Sequence, residues 1–119
     1  MDSDELKART KQFALRVMKL VGALPRTTVG RAIGGQLVRC GTSVGANYRA
    51  ACRSRSKAEF TAKLGTVEEE ADETCFWLEV IVEGALLPAK RVAALLEEAD
   101  ALTAIFTSAV KTSKCRRGW

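Results

Sequence analysis

Arginine has the clearest chemical use in this chain. Between residues 31 and 57 stand Arg31, Arg39, Arg49, Arg53, Arg55 and Lys57. On an ideal helix, Arg31, Arg39, Arg49 and Arg53 share an arc of roughly 80°. Ile33, Leu37, Val44 and Tyr48 fall on the opposite side. The segment therefore predicts a helix with an apolar face inward and an arginine face outward. Arg55, Lys57 and Lys63 carry the charge around the following corner. A guanidinium fork donates two parallel hydrogen bonds to a phosphate, so this face suits the backbone of RNA or DNA. An ordinary solvated face, or one that meets a neighbouring subunit, would use the same residues, and all three readings stand.

Acidic residues cluster at Glu68, Glu69, Glu70, Asp72 and Glu73. Carboxylates in a helical bundle hold metal ions when Glu-x-x-His pairs face one another. The chain has no histidine, so no metal site and no other cofactor is expected. Ser43 and Asn47 stand one turn apart, but a serine nucleophile needs a base that this sequence does not offer. They are read as structural polar groups that bond a helix end or a neighbouring helix. Gly34-Gly35-Gln36 is too short to mark a site, and no phosphate loop or dinucleotide glycine pattern occurs. The expectation is a protein that is not an enzyme.

Two further groups suggest partners. Phe76, Trp77 and Val80, with Glu69 and Glu73, lie off the apolar stripe of their helix and read as a subunit interface; a wider bundle would place Trp77 in the core instead. At the C-terminus, Lys111, Lys114, Arg116, Arg117 and Trp119 form a basic stretch with an aromatic. Such a tail can grip a nucleic-acid backbone, and it is equally what a loose terminus looks like. Cys40, Cys52, Cys75 and Cys115 make no C-x-x-C pair and read as free thiols, Cys40 and Cys75 as small core residues.

The elements that must position these groups are four helices. The chain has 119 residues, 47% hydrophobic and 28% charged, with 19 Lys+Arg against 14 Asp+Glu. That suits one globular domain. Apolar residues at helical spacing predict helices over about Asp4–Leu24, Thr28–Arg53, Ser56 to Glu83 or Gly84, and Pro88–Thr112. Ser56 and Glu59 match a capping box at the start of the third. Phe60, Leu64, Val67, Ala71, Cys75, Leu78, Val82 and Ala85 give its stripe. Glycines at 30, 34, 35, 41 and 45 either weaken the second helix or let another helix approach closely; the unbroken apolar spacing favours close approach. The expected fold is an all-α, antiparallel up-and-down four-helix bundle over residues 1–112, with a flexible basic tail over 113–119. No stretch is long and apolar enough to span a bilayer, and the polar, acidic start is not a secretory signal. The expected location is the cytoplasm, with no membrane partner.

Ser43-Val44-Gly45-Ala46-Asn47, followed by Arg53-Ser54-Arg55-Ser56-Lys57-Ala58-Glu59-Phe60, resembles a known family. These are bacterial four-helix-bundle proteins first noticed as products of ribosomal-RNA intervening sequences. The acidic run and Phe76-Trp77-Leu78-Glu79 occupy the place of that family's acidic, aromatic and leucine-rich stretch. Where the family pattern has Ala-Glu-Gly after the asparagine, this chain has Tyr48-Arg49-Ala50-Ala51-Cys52-Arg53, which adds positive charge. The resemblance implies an antiparallel bundle assembled as a homopentameric ring. It also implies kinship with the accessory protein of diversity-generating retroelements, thought to bind nucleic acid and a reverse transcriptase. The expected function is thus a non-enzymatic, oligomeric nucleic-acid-binding or adaptor protein. The alternative is a purely structural assembly, or a reverse-transcriptase accessory protein with no nucleic-acid binding of its own.

Overall fold

The computed structural model describes residues 1–115. The expected tail residues Arg116, Arg117 and Trp119 lie outside the described residues. Four helices follow in order: α1 (Ser3–Gly22), α2 (Thr28–Cys52), α3 (Lys57–Glu83) and α4 (Ala89–Cys115). The starts of α1, α2 and α3 are set by side-chain oxygens that accept otherwise unpaired N–H groups. Asp2 accepts from Glu5 N–H at 2.8 Å, Thr27 from Gly30 N–H at 3.0 Å, and Ser56 from Glu59 N–H at 3.1 Å. The Glu59 carboxylate lies 3.9 Å from the Lys63 ammonium.

Short links force neighbouring helices to run antiparallel, and side-chain pairs record the register. Thr61 meets Ser113, Glu68 meets Thr107 and Cys75 meets Thr103 between α3 and α4. Between α1 and α2 the glycines set the register by close approach. A Cβ on Gly41 would lie 2.7 Å from Val17 Cγ1, and one on Gly45 would lie 3.2 Å from Thr10 Oγ1. The glycines of α2 therefore mostly mark helix contact, as expected, although Gly35 faces open space.

The core runs the length of the bundle through Phe13, Val17, Leu37, Val44, Leu64, Val67, Leu78, Val92, Leu102 and Phe106. Tyr48 and Phe106 stack at a tilt, with ring centroids 5.5 Å apart. Cys40 and Cys75 are buried free thiols. Burial pushes the Cys75 thiol up to about 12 and also raises Cys40, so both stay protonated.

Three sequence expectations need correction. Ala85 does not extend the α3 stripe: it is exposed, with φ 57°, and ends the helix. Its N–H donates to Val82 O at 3.1 Å, and Leu86 N–H donates to Ile81 O at 2.9 Å. This is a Schellman turn with alanine in the left-handed position one residue after Gly84. The stripe instead closes on Ile81 and takes in buried Thr74. Finally, α4 continues past residue 112, and Ser113 is buried against Thr61, so the bundle reaches beyond the expected start of the tail.

Helices α1 and α4 close the bundle least tightly. Arg9 Nε and Nη2 each lie 2.7 Å from a Glu98 oxygen, the one ion pair across this seam among the described residues. Beyond it, towards the α1 N-terminus, opens an apolar groove of about 1030 Å³ lined by Leu6, Tyr48, Phe60, Ile105, Phe106 and Ala109.

Candidate nucleic-acid interface

The predicted arginine face divides once its surroundings are known. All four arginines of the predicted face, Arg31, Arg39 and Arg49 in α2 and Arg53 at its C-cap, are exposed, as the helical spacing requires. Arg39 is taken up within the chain: its guanidinium lies 3.4 Å from a Glu70 oxygen and donates a hydrogen bond to Glu73. It also bridges to Gln36 at 3.5 Å. Its positive charge is therefore answered by α3. Arg31 lies near the other end of α2, about 33 Å of helix from Arg53.

What remains together is the α2–α3 corner. Arg49, Arg53 and Arg55 are exposed there and form no salt bridge among the described residues. Lys57 is half-buried as the first residue of α3. A concavity of about 290 Å³ at this corner is lined by Ala51, Cys52, Ser54, Arg55, Ser56 and Phe60. The Ser54 hydroxyl is buried without a hydrogen-bond partner. Such a group is costly unless a ligand or water satisfies it. The α3 N-terminus points its dipole to the same place. Arginines beside a helix N-terminus are a chemistry for anions.

The structural motif lies next to this corner and works inside its own helix. Ser43 Oγ donates to Arg39 O at 2.6 Å, and Asn47 Nδ2 donates to Ser43 O at 2.9 Å. The expected bond to a helix end or a neighbouring helix is replaced by these bonds to α2 itself.

The predicted interface residues of α3 also divide. Glu73 accepts from Trp77 Nε1 at 3.1 Å as well as from Arg39. Trp77 is part-buried against the edge of the core, and Val80 is half-buried. Phe76 is 54% exposed and is held by Trp77 edge-to-face, with centroids 4.9 Å apart. Glu69 is exposed beside it along the helix.

Sequence reasoning missed two features. Leu15 and Met18 are 50% and 52% exposed on α1; their spacing of three residues, off the core stripe, was the available signal. A second basic concavity, about 280 Å³, opens between α1 and α4 and is walled by Arg16, Lys19 and Arg91. No single segment carries it, so no sequence window reveals it.

A model of the 23S rRNA-intervening sequence protein family matches residues 4–108. The chain belongs to this family. No curated protein matches the chain. A crystal structure of a protein of unknown function, from the S23 ribosomal protein family of Bacteroides thetaiotaomicron VPI-5482, superposes with a TM-score of 0.82 at 28% identity. The match covers 88% of this chain and 97% of that one. Membership in the family agrees with the four-helix bundle and with the resemblance carried by residues 43–60.

Proposed function

We propose that this member of the intervening-sequence family is a non-enzymatic nucleic-acid-binding or adaptor protein of the cytoplasm, working as a homo-oligomer through its α2–α3 corner. The observation that carries this reading is the corner itself: Arg49, Arg53 and Arg55 are exposed there and form no salt bridge among the described residues. Backbone phosphates suit these arginines, and they carry no base information, so binding is sequence-independent. The family's name makes RNA the first ligand to try. A ring of five, which the resemblance implies, repeats the corner once per subunit and turns weak contacts into avidity.

The structural alternative has one supporting observation: Arg39 is already committed to Glu70 and Glu73. The test is Arg49→Glu with Arg53→Glu. Fluorescence anisotropy with labelled single-stranded RNA should show a loss of about a hundredfold or more in affinity. Circular dichroism and oligomer mass should be unchanged. Retained RNA affinity in this variant would remove the corner from the function. RNA binding that fails only together with the oligomer would favour the structural alternative.

A further inference from the structure

Phe60 opens the apolar stripe of α3 but does not share its burial. Leu64 and Val67, the next members, are 2% and 0% exposed, whereas Phe60 stays half-buried. The capped start of α3 fixes its place: Phe60 N–H donates to Ser56 O at 3.0 Å. Phe60 is the one aromatic among the residues lining the concavity of about 290 Å³ at the α2–α3 corner. Buried Ala51 and half-buried Cys52 line it from α2, and exposed Arg55 lines it from the link. The other phenylalanines lie elsewhere: Phe13 and Phe106 are in the core, and Phe76 is two-thirds of the way along α3.

The lining divides by chemistry. A phosphate belongs with the exposed guanidinium groups. Placed against Ala51, Cys52 and Phe60, it would lose hydration and gain no hydrogen bond from those side chains. They suit a flat group with an apolar face instead. The two hydroxyls of the lining do not alter this. Ser56 Oγ accepts the Glu59 N–H at 3.1 Å, and Ser54 Oγ is buried. A nucleotide joins both kinds of group, a charged phosphate and a flat base, through one sugar. In a duplex the bases are stacked and paired inside the helix. In a single strand they can be turned out onto an aromatic ring.

We propose that this concavity takes one unpaired base of a single-stranded nucleic acid, stacked on Phe60, while neighbouring phosphates lie on Arg49, Arg53 and Arg55. Stacking uses the π-face that every base has, so the corner selects single strands and not a sequence. The arginines supply attraction, and Phe60 supplies the choice of strand. The inference rests on the phosphate-binding reading of the corner and adds the class of nucleic acid that it selects.

The test compares a labelled oligoadenylate with a strand of equal length built from abasic sites. Both carry the same phosphates, and only the first carries bases. Fluorescence anisotropy of the wild-type chain should give about tenfold or more tighter binding to the oligoadenylate, within the range for one stacked base. Phe60→Leu keeps an apolar side chain and loses the ring, so it should remove that advantage. Phe60→Tyr should keep it. Affinity for the abasic strand, its salt slope and affinity for duplex RNA should be the same in all three proteins. Circular dichroism checks the fold. Cys52→Leu narrows the concavity from α2 with Phe60 in place, and should remove the advantage too. Equal wild-type affinity for the two strands would overturn the stacked base and leave the phosphate reading standing. A folded Phe60→Leu variant that keeps the wild-type preference would do the same. A wild type that binds neither strand at low salt would remove both readings.

Discussion

Gly35 and Gly41 lie on the same helix and have opposite requirements. A methyl group at Gly41 would press on Val17, while one at Gly35 meets nothing within 4 Å. Gly41→Ala should therefore cost about 1–3 kcal/mol through overpacking. Gly35→Ala should stabilise by about 0.5–1 kcal/mol through helix propensity. Urea unfolding of the two variants gives the pair of signs, and equal signs would contradict the α1–α2 packing. Glu98 offers a second test. The hydrogen bonds from Arg9 hold its carboxyl below the usual range of about 4.5. A depressed folded pKa contributes stability above the unfolded value and loses it as pH falls through the lower, folded one. Glu98→Gln should thus cost about 1 kcal/mol near neutral pH. The difference from wild type should shrink as pH falls below the ordinary carboxylate range. A cost that persists at low pH would mean that packing, rather than charge, is what the substitution removes. Pairings of this kind were not legible in the sequence. Arg39 reads as one of four equivalent outward arginines until α3 is placed beside it at Glu70 and Glu73.

At the scale of elements, the helices were legible because their signals are local. The apolar repeat and the Ser56 cap placed α3, and Pro88 marked the start of the next helix. Helix ends were harder, because they depend on backbone conformation. Gly84 suggested the end of α3, yet the left-handed residue is Ala85, with a side chain that this conformation disfavours. Ala85→Gly should relieve that strain and raise stability by about 0.5–1 kcal/mol. Thermal unfolding would read this directly, and destabilisation would show that the Ala85 methyl makes a contact worth more than the strain. The end of α4 was missed for a different reason. Ser113 is polar, and its burial depends on Thr61, 52 residues away. A polar residue kept inside by a distant hydroxyl leaves no periodic trace.

The whole molecule is a rod of 51 × 21 × 20 Å. Its net charge of +5 understates how unevenly charge is spread. Arg39 is neutralised at mid-length, Phe76 sits among carboxylates, and the arginines of the α2–α3 corner form no salt bridge among the described residues. Nothing in the sequence separates these regions, because the same arginines and glutamates serve either reading until the register is known. The most direct test of the account is the affinity of the wild-type chain for single-stranded RNA across a salt series. Three arginine–phosphate contacts per corner predict that log K falls linearly with log salt, with a slope of about −2 for each corner engaged. Unrelated RNA sequences should give the same line. Absence of binding at low salt, or an affinity insensitive to salt, would contradict the claim that this corner is a phosphate-binding surface.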